Sequence, residues 1–171
     1  LLAVTCNHCP YAIAVWPRLI NLAGFAKDLD IETVAINPNI HPSYPDDAPD
    51  KMAEKIKEWE ISFPYLVDET QGVAKSLDAQ CTPDIYLFDA SQKLVYHGRI
   101  DDNWQDSSQV TKEELKEAIQ NLTNGDPISP EQKPTPHELQ HHNKSRSCTA
   151  SSPALQDLQS HSGVKTTALL I

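Results

Sequence analysis

Residues 5–12 read "TCNHCPYA". Two thiols three positions apart with an imidazole between them can exchange a disulfide, hold a metal or attack a peroxide, and the flanking sequence decides among these. Just upstream, "LLAVT" is a short apolar run that suits a buried strand. Just downstream, Pro10 fits a first helical turn, and Trp16, Leu19, Ile20, Leu22, Ala23 and Phe25 recur at roughly helical spacing, with Pro17 expected to kink the helix. The cysteines therefore stand where a strand hands over to a helix. A thiolate there meets unpaired N–H groups and the positive end of the helix dipole, which lower its pKa from ~8.5 to as little as ~3.5–7. On this reading Cys6 is the nucleophile at the helix start and Cys9, within the first turn, is the resolving thiol. A protonated His8 would favour the thiolate and make the pair a stronger oxidant.

Farther out, "IETVAI" reads as a second strand and residues 37–49, with four prolines, as a loop. "DKMAEKIKEWE" then resumes a helical pattern, followed by a short strand "FPYLVD" and a brief helix "TQGVAKSL". The segments "DIYLFDA" and "KLVYHGRI" form two strands about a turn at Ser91 and Gln92, and "TKEELKEAIQNL" closes with a capping-box-like start. The order β-α-β-α-β-α-β-β-α describes an α/β fold, a mixed central sheet flanked by helices. Pro83 at the head of a strand is tolerable, and the Thr82–Pro83 bond is one where a cis peptide costs little.

Composition sets the outer limits. Of 171 residues, all eleven aromatics lie between Tyr11 and Trp104, and the whole net charge of −10 lies before residue 126. Residues 126–171 carry four acids, four bases and scattered prolines, too little apolar surface to offset ordering entropy, so they are expected to be a disordered tail behind a single domain over 1–125. The acidic balance argues against nucleic acid as partner, and no apolar run approaches a membrane span. The chain does not open with Met, and its domain is expected to be truncated at the N-terminus. No compartment is fixed by the residues, the cytoplasm being the slight preference.

Taken together, "CNHCPY", "VAINPN", "YPDDAPDKM", "FPYLVDETQGVAKSLDAQCTPDIYLFD" and "LVYHGRIDD" resemble, in order, the thioredoxin-like superfamily and within it the AhpC/TSA-type redoxin branch. The resemblance covers Leu1 to about Gly125. It implies a thioredoxin-like fold, a cis Pro83 beside the CxxC, and substrate docking against the Thr82 backbone. It also implies a thiol–disulfide oxidoreductase that needs no cofactor, with a protein or small-molecule disulfide as substrate and a thiol reductant or electron-donor protein as partner. Such domains usually begin with a further hairpin, and the buried acid that assists proton transfer in thioredoxins would fall about at that missing edge.

Two other functions compete. A peroxidase of the AhpC/TSA type resembles its relatives in a Pro-xxx-Thr-xx-Cys motif, but here Cys6 stands three before Cys9 and Ala3 three before Cys6, and Arg99 is the one guanidinium considered for holding peroxide. A non-enzymatic copper or zinc module would use Cys6 and Cys9 with Cys81 or His8, yet the sequence shows no second close ligand pair, so no metal site is expected. Cys81, two residues before Pro83, is a candidate third redox thiol. "HELQHH" at 137–142 matches a zinc-protease spacing but lacks the amphipathic helix that the chemistry requires.

Overall fold

The computed structural model describes residues 1–134. Nine regular elements follow the expected order: β1 Leu2–Val4, α1 Pro10–Lys27, β2 Val34–Asn37, α2 Pro49–Glu58, β3 Tyr65–Val67, α3 Gly72–Ser76, β4 Asp84–Phe88, β5 Leu94–Gly98 and α4 Glu114–Asn124. Short 3₁₀ turns at Pro45–Asp47 and Ser107–Gln109 complete the described chain. The sheet runs β3-β2-β1-β4-β5, with β1 parallel to β2, β2 parallel to β3, and antiparallel pairs β1·β4 and β4·β5.

Alternation along the strands sends side chains to two cores. Ala3, Ala35, Ile85 and Leu87 face the larger one with Trp16 and Leu19 of α1, Met52 of α2 and Leu115 and Ile119 of α4, while Val4, Ile36 and Tyr86 meet Ala74 of α3 and Leu77 on the other side. Among the described residues no helix is long and apolar enough to cross a membrane.

α1 runs unbroken through Pro17. Pro17 and Ile13, whose carbonyl that proline leaves without its helical partner, both lie on the exposed face, so the helix bond is lost on its solvent side. The capping box expected at Thr111 does not form. Thr111 instead gives its N–H and hydroxyl to Asp102, and α4 starts three residues later.

Beyond Gly125 the described chain continues against the sheet. Gly125 ends α4 in the left-handed conformation at φ 77°. The chain then returns along β5: the His97 N–H donates to Gln132 Oε1 at 2.7 Å, the Arg99 N–H donates to the Lys133 carbonyl at 2.9 Å, and Ile128 packs on the larger core. Gly98 permits the approach, because a Cβ there would stand 2.8 Å from the Lys133 carbonyl. Covering the outer edge of β5 removes donors and acceptors that an edge strand leaves bare. The "HELQHH" stretch and Cys148 lie outside the described residues.

Candidate active site

Strand register brings the two distant signals together. Val4 of β1 pairs with Asp84 of antiparallel β4. Carried two positions past the end of β1, that register sets Cys6 opposite Thr82, and the Cys6 sulfur lies 3.2 Å from Thr82 Oγ1. The Thr82–Pro83 peptide is cis and Pro83 is fully buried. In its neutral form Cys9 donates its S–H to the Thr82 carbonyl over 3.4 Å. Cys6, Cys9 and Cys81 are not joined in a disulfide.

The helix begins at Pro10, in keeping with its reading as a first-turn residue, and Cys9 stands just before the first turn rather than within it. Cys9 is the N-cap of α1, extended at φ −71°, ψ 124°, because the following Pro10 disfavours helical geometry at the residue before it. Cys6 therefore lies outside the helix rather than at its start. It is wholly buried, its carbonyl accepting the Trp16 indole N–H at 3.1 Å, whereas Cys9 is only partly buried.

The electrostatics divide the pair the same way. The Cys9 thiol is pulled well below the ordinary thiol range, to about 5, first by the Cys6 thiol that donates to its sulfur and then, against desolvation, by the amides of Ala12 and Tyr11 at the open end of the helix. The Cys6 thiol is pushed up by that same bond and by burial, with the Asp47 carboxylate adding to the shift.

His8 is fixed from both sides. Its Nδ1 bonds Asp47 Oδ2, and its ring stacks on Tyr44 at 4.2 Å with 14° between planes. Asp47, in the 3₁₀ turn before α2, is completely buried. Its Oδ1 accepts from the Asn7 amide at 2.6 Å and from Asn37 Nδ2 at 2.9 Å, while Tyr65 donates its hydroxyl to Asn7 Oδ1 at 3.0 Å. Cys6 Sγ, a His8 ring nitrogen and an Asp47 oxygen all lie within 4.8 Å of one another. Asp47 is the functional candidate that sequence reasoning missed. A buried acid is present, supplied by the loop after β2 rather than by the edge where it was expected.

The remaining candidates have partners of their own. Cys81 is buried, its sulfur 3.9 Å from the Pro83 carbonyl oxygen. Arg99 is held by Glu114, with Nη2 to Oε1 at 2.5 Å, and Arg18 spans Asp101 Oδ2, the Asn103 carbonyl and the Trp104 carbonyl at 2.5 to 2.7 Å. Both guanidiniums of the described chain are thus committed to other groups. Arg18 in turn places Trp104 against Tyr11, with ring centroids 4.1 Å apart, beside the N-cap thiol.

Residues 1–119 match the Redoxin family. No curated protein matches the chain. Among solved structures, an uncharacterized conserved protein from Geobacillus kaustophilus is 41% identical with a TM-score of 0.73, over 77% of this chain and 70% of that one. A hypothetical protein from Sinorhizobium meliloti 1021 is 33% identical, also at TM-score 0.73, over 78% of this chain and 73% of that one. A thioredoxin-like protein solved in its oxidized form is 17% identical at TM-score 0.57, over 73% of this chain and 78% of that one, a likeness of fold alone.

Proposed function

The chain belongs to the Redoxin family, and from that premise we propose that it is a thiol–disulfide oxidoreductase in which Cys9 attacks and Cys6 resolves. The observation that carries this reading is the convergence of both sulfurs on Thr82, one on its hydroxyl and one on its carbonyl, at the point where α1 opens. The roles exchange relative to the sequence expectation because Cys9, not Cys6, is the N-cap and the more accessible sulfur.

The Cys9 thiolate attacks one sulfur of a substrate disulfide, forming a mixed disulfide and expelling the other sulfur as a thiolate that takes a proton from water. The Cys6 thiol then loses its proton and attacks the Cys9 sulfur. This expels the second substrate thiolate and leaves a Cys6–Cys9 disulfide, so two electrons have passed from protein to substrate. A donor dithiol reverses the sequence. The His8–Asp47 pair, within 4.8 Å of Cys6, is the acid–base pair placed to take the Cys6 proton, which gives His8 a part in tuning the reaction. Thr82 and Pro83 form the edge against which a substrate chain would lie.

The peroxidase alternative is less well supported, since neither Arg18 nor Arg99 is free to hold a peroxide and Cys6 occupies the place of the threonine. Measuring reduction of a peptide disulfide and of hydrogen peroxide on one reduced sample tests the choice. Disulfide turnover should exceed peroxide turnover by orders of magnitude, and the opposite ranking would refute the reading.

A further inference from the structure

We propose that the reduced protein binds a borderline divalent cation of the zinc class through Cys6, His8 and Asp47, with Cys9 as fourth ligand, so that metal and disulfide compete for the same two sulfurs. The proposal shares its thiols with the reading above but does not require disulfide exchange to be the activity.

Two separate segments supply the donors: the loop between β1 and α1 gives Cys6 and His8, and the turn before α2 gives Asp47. Their ligand atoms already lie within 4.8 Å of one another. A tetrahedral ion with bonds of 2.0 to 2.3 Å needs donors about 3.3 to 3.8 Å apart, so side-chain adjustments of about 1 Å complete the geometry. Cys9 Sγ meets the carbonyl of Thr82, the same residue whose hydroxyl meets Cys6 Sγ, so the fourth sulfur flanks the cluster and joins it by a side-chain movement.

The surroundings orient these ligands. Asp47 Oδ1 is held by the Asn7 amide and Asn37 Nδ2, leaving Oδ2 directed at the site, and Tyr44 fixes the plane of the His8 ring. Oriented carboxylates and imidazoles of this kind tighten metal sites. Charge points the same way. The buried Asp47 carboxylate stands close to the Cys6 sulfur, and it is held by the Asn7 and Asn37 amides and by His8. A dication neutralises that cluster where protons otherwise must. Two thiolates, an imidazole and a carboxylate form a mixed donor set suited to zinc, whereas copper(I) would favour the sulfurs and leave Asp47 unused.

No electrons move on binding. The ion displaces the Cys6 proton to water, and if Nδ1 is the ligating nitrogen, the proton of its hydrogen bond to Asp47 leaves that bond and the neutral imidazole carries its one proton on Nε2. Oxidation to the Cys6–Cys9 disulfide removes two of four ligands, so the site exists only in the reduced form.

The test uses the full chain carrying Cys148→Ala, so that the C-terminal histidines have no neighbouring sulfur, reduced, stripped with chelator and titrated anaerobically with Co²⁺. One equivalent should produce sulfur-to-cobalt charge-transfer absorption together with intense tetrahedral visible bands, and Zn²⁺ should erase both. Disulfide-oxidised protein should give neither. Cys6→Ser should abolish the charge-transfer signal or displace it, and Asp47→Asn and the less buried His8→Asn should each weaken binding about tenfold or more. Absence of charge-transfer absorption in the reduced chain, or a signal unchanged by Cys6→Ser and His8→Asn, would overturn the proposal. Exchange activity measured on the metal-free sample reports separately on the proposed function, and cobalt binding without exchange would leave the metal site standing alone.

Discussion

The backbone amide of Asn7, midway between the two cysteines, donates a 2.6 Å hydrogen bond to the buried Oδ1 of Asp47, forty residues later. This bond and the one from Asn37 Nδ2 fix the CxxC loop to the sheet and put a carboxylate beside Cys6 and His8. The loop is therefore organised from outside the motif.

Asp47→Ala should strand the Asn7 amide and the Asn37 side chain in a dry site, and a buried group without a partner costs about 1 to 3 kcal/mol. Urea denaturation should show a loss of about 2 to 4 kcal/mol for this variant. Asp47→Asn, which can retain an acceptor, should lose less. Equal stability of wild type and Asp47→Ala would show that the bond does not hold the loop.

Alkylation of Cys9 by iodoacetamide, followed on reduced and chelator-treated protein, should titrate with a midpoint of about 5. Because the pKa is lowered, the reactive thiolate is present above that pH and is lost below it, so the rate should be flat at neutrality and fall in acid. Cys6→Ala removes the largest cause of the shift and should move the midpoint upward. A midpoint of ~8.5, that of a free thiol, would contradict the electrostatic account.

Arg18→Ala should destabilise the domain by about 3 kcal/mol or more, since it leaves Asp101 buried without its counterion and frees two backbone carbonyls. Thermal or urea unfolding measures this. A change under about 0.5 kcal/mol, the ordinary range for surface substitutions, would mean the clamp is dispensable.

Ending the chain after residue 134 should leave stability and exchange activity unchanged, because every residue assigned to the site precedes that point. Ending it after Gly125 should instead lower the unfolding midpoint and promote association, since the β5 edge and the Ile128 contact are lost. If the two truncations behave alike, the returning segment has no structural role.

The sequence discloses its element order because periodicity changes sharply between segments: "DIYLF" alternates about the sheet while Trp16, Leu19 and Ala23 follow a helical stripe. Cys6, Cys9, His8 and Thr82 were all legible as site candidates, two by spacing and two by neighbourhood. Asp47 was not. In "YPDDAPD" it reads as one more solvated loop acid, and its carboxylate is held by Asn7, His8 and Asn37, contacts that a local pattern does not encode. The start of α1 could have been found, for Pro10 restricts the residue before it to extended geometry and so makes Cys9 the cap. Similarly, low aromatic content concealed 126–134, which are held by backbone and Gln132 bonds to β5 more than by a core of their own.

The central claim, that Cys9 attacks and Cys6 resolves, is tested most directly by trapping. Reduced Cys6→Ser and Cys9→Ser proteins, each with Cys81 and Cys148 replaced by alanine, are offered the same peptide disulfide, and the adducts are located by mass spectrometry. The account predicts a stable mixed disulfide on Cys9 in the Cys6→Ser protein and little adduct on the buried Cys6 in the Cys9→Ser protein. Rapid and stable capture on Cys6, with Cys9 unmodified in the other variant, would contradict it.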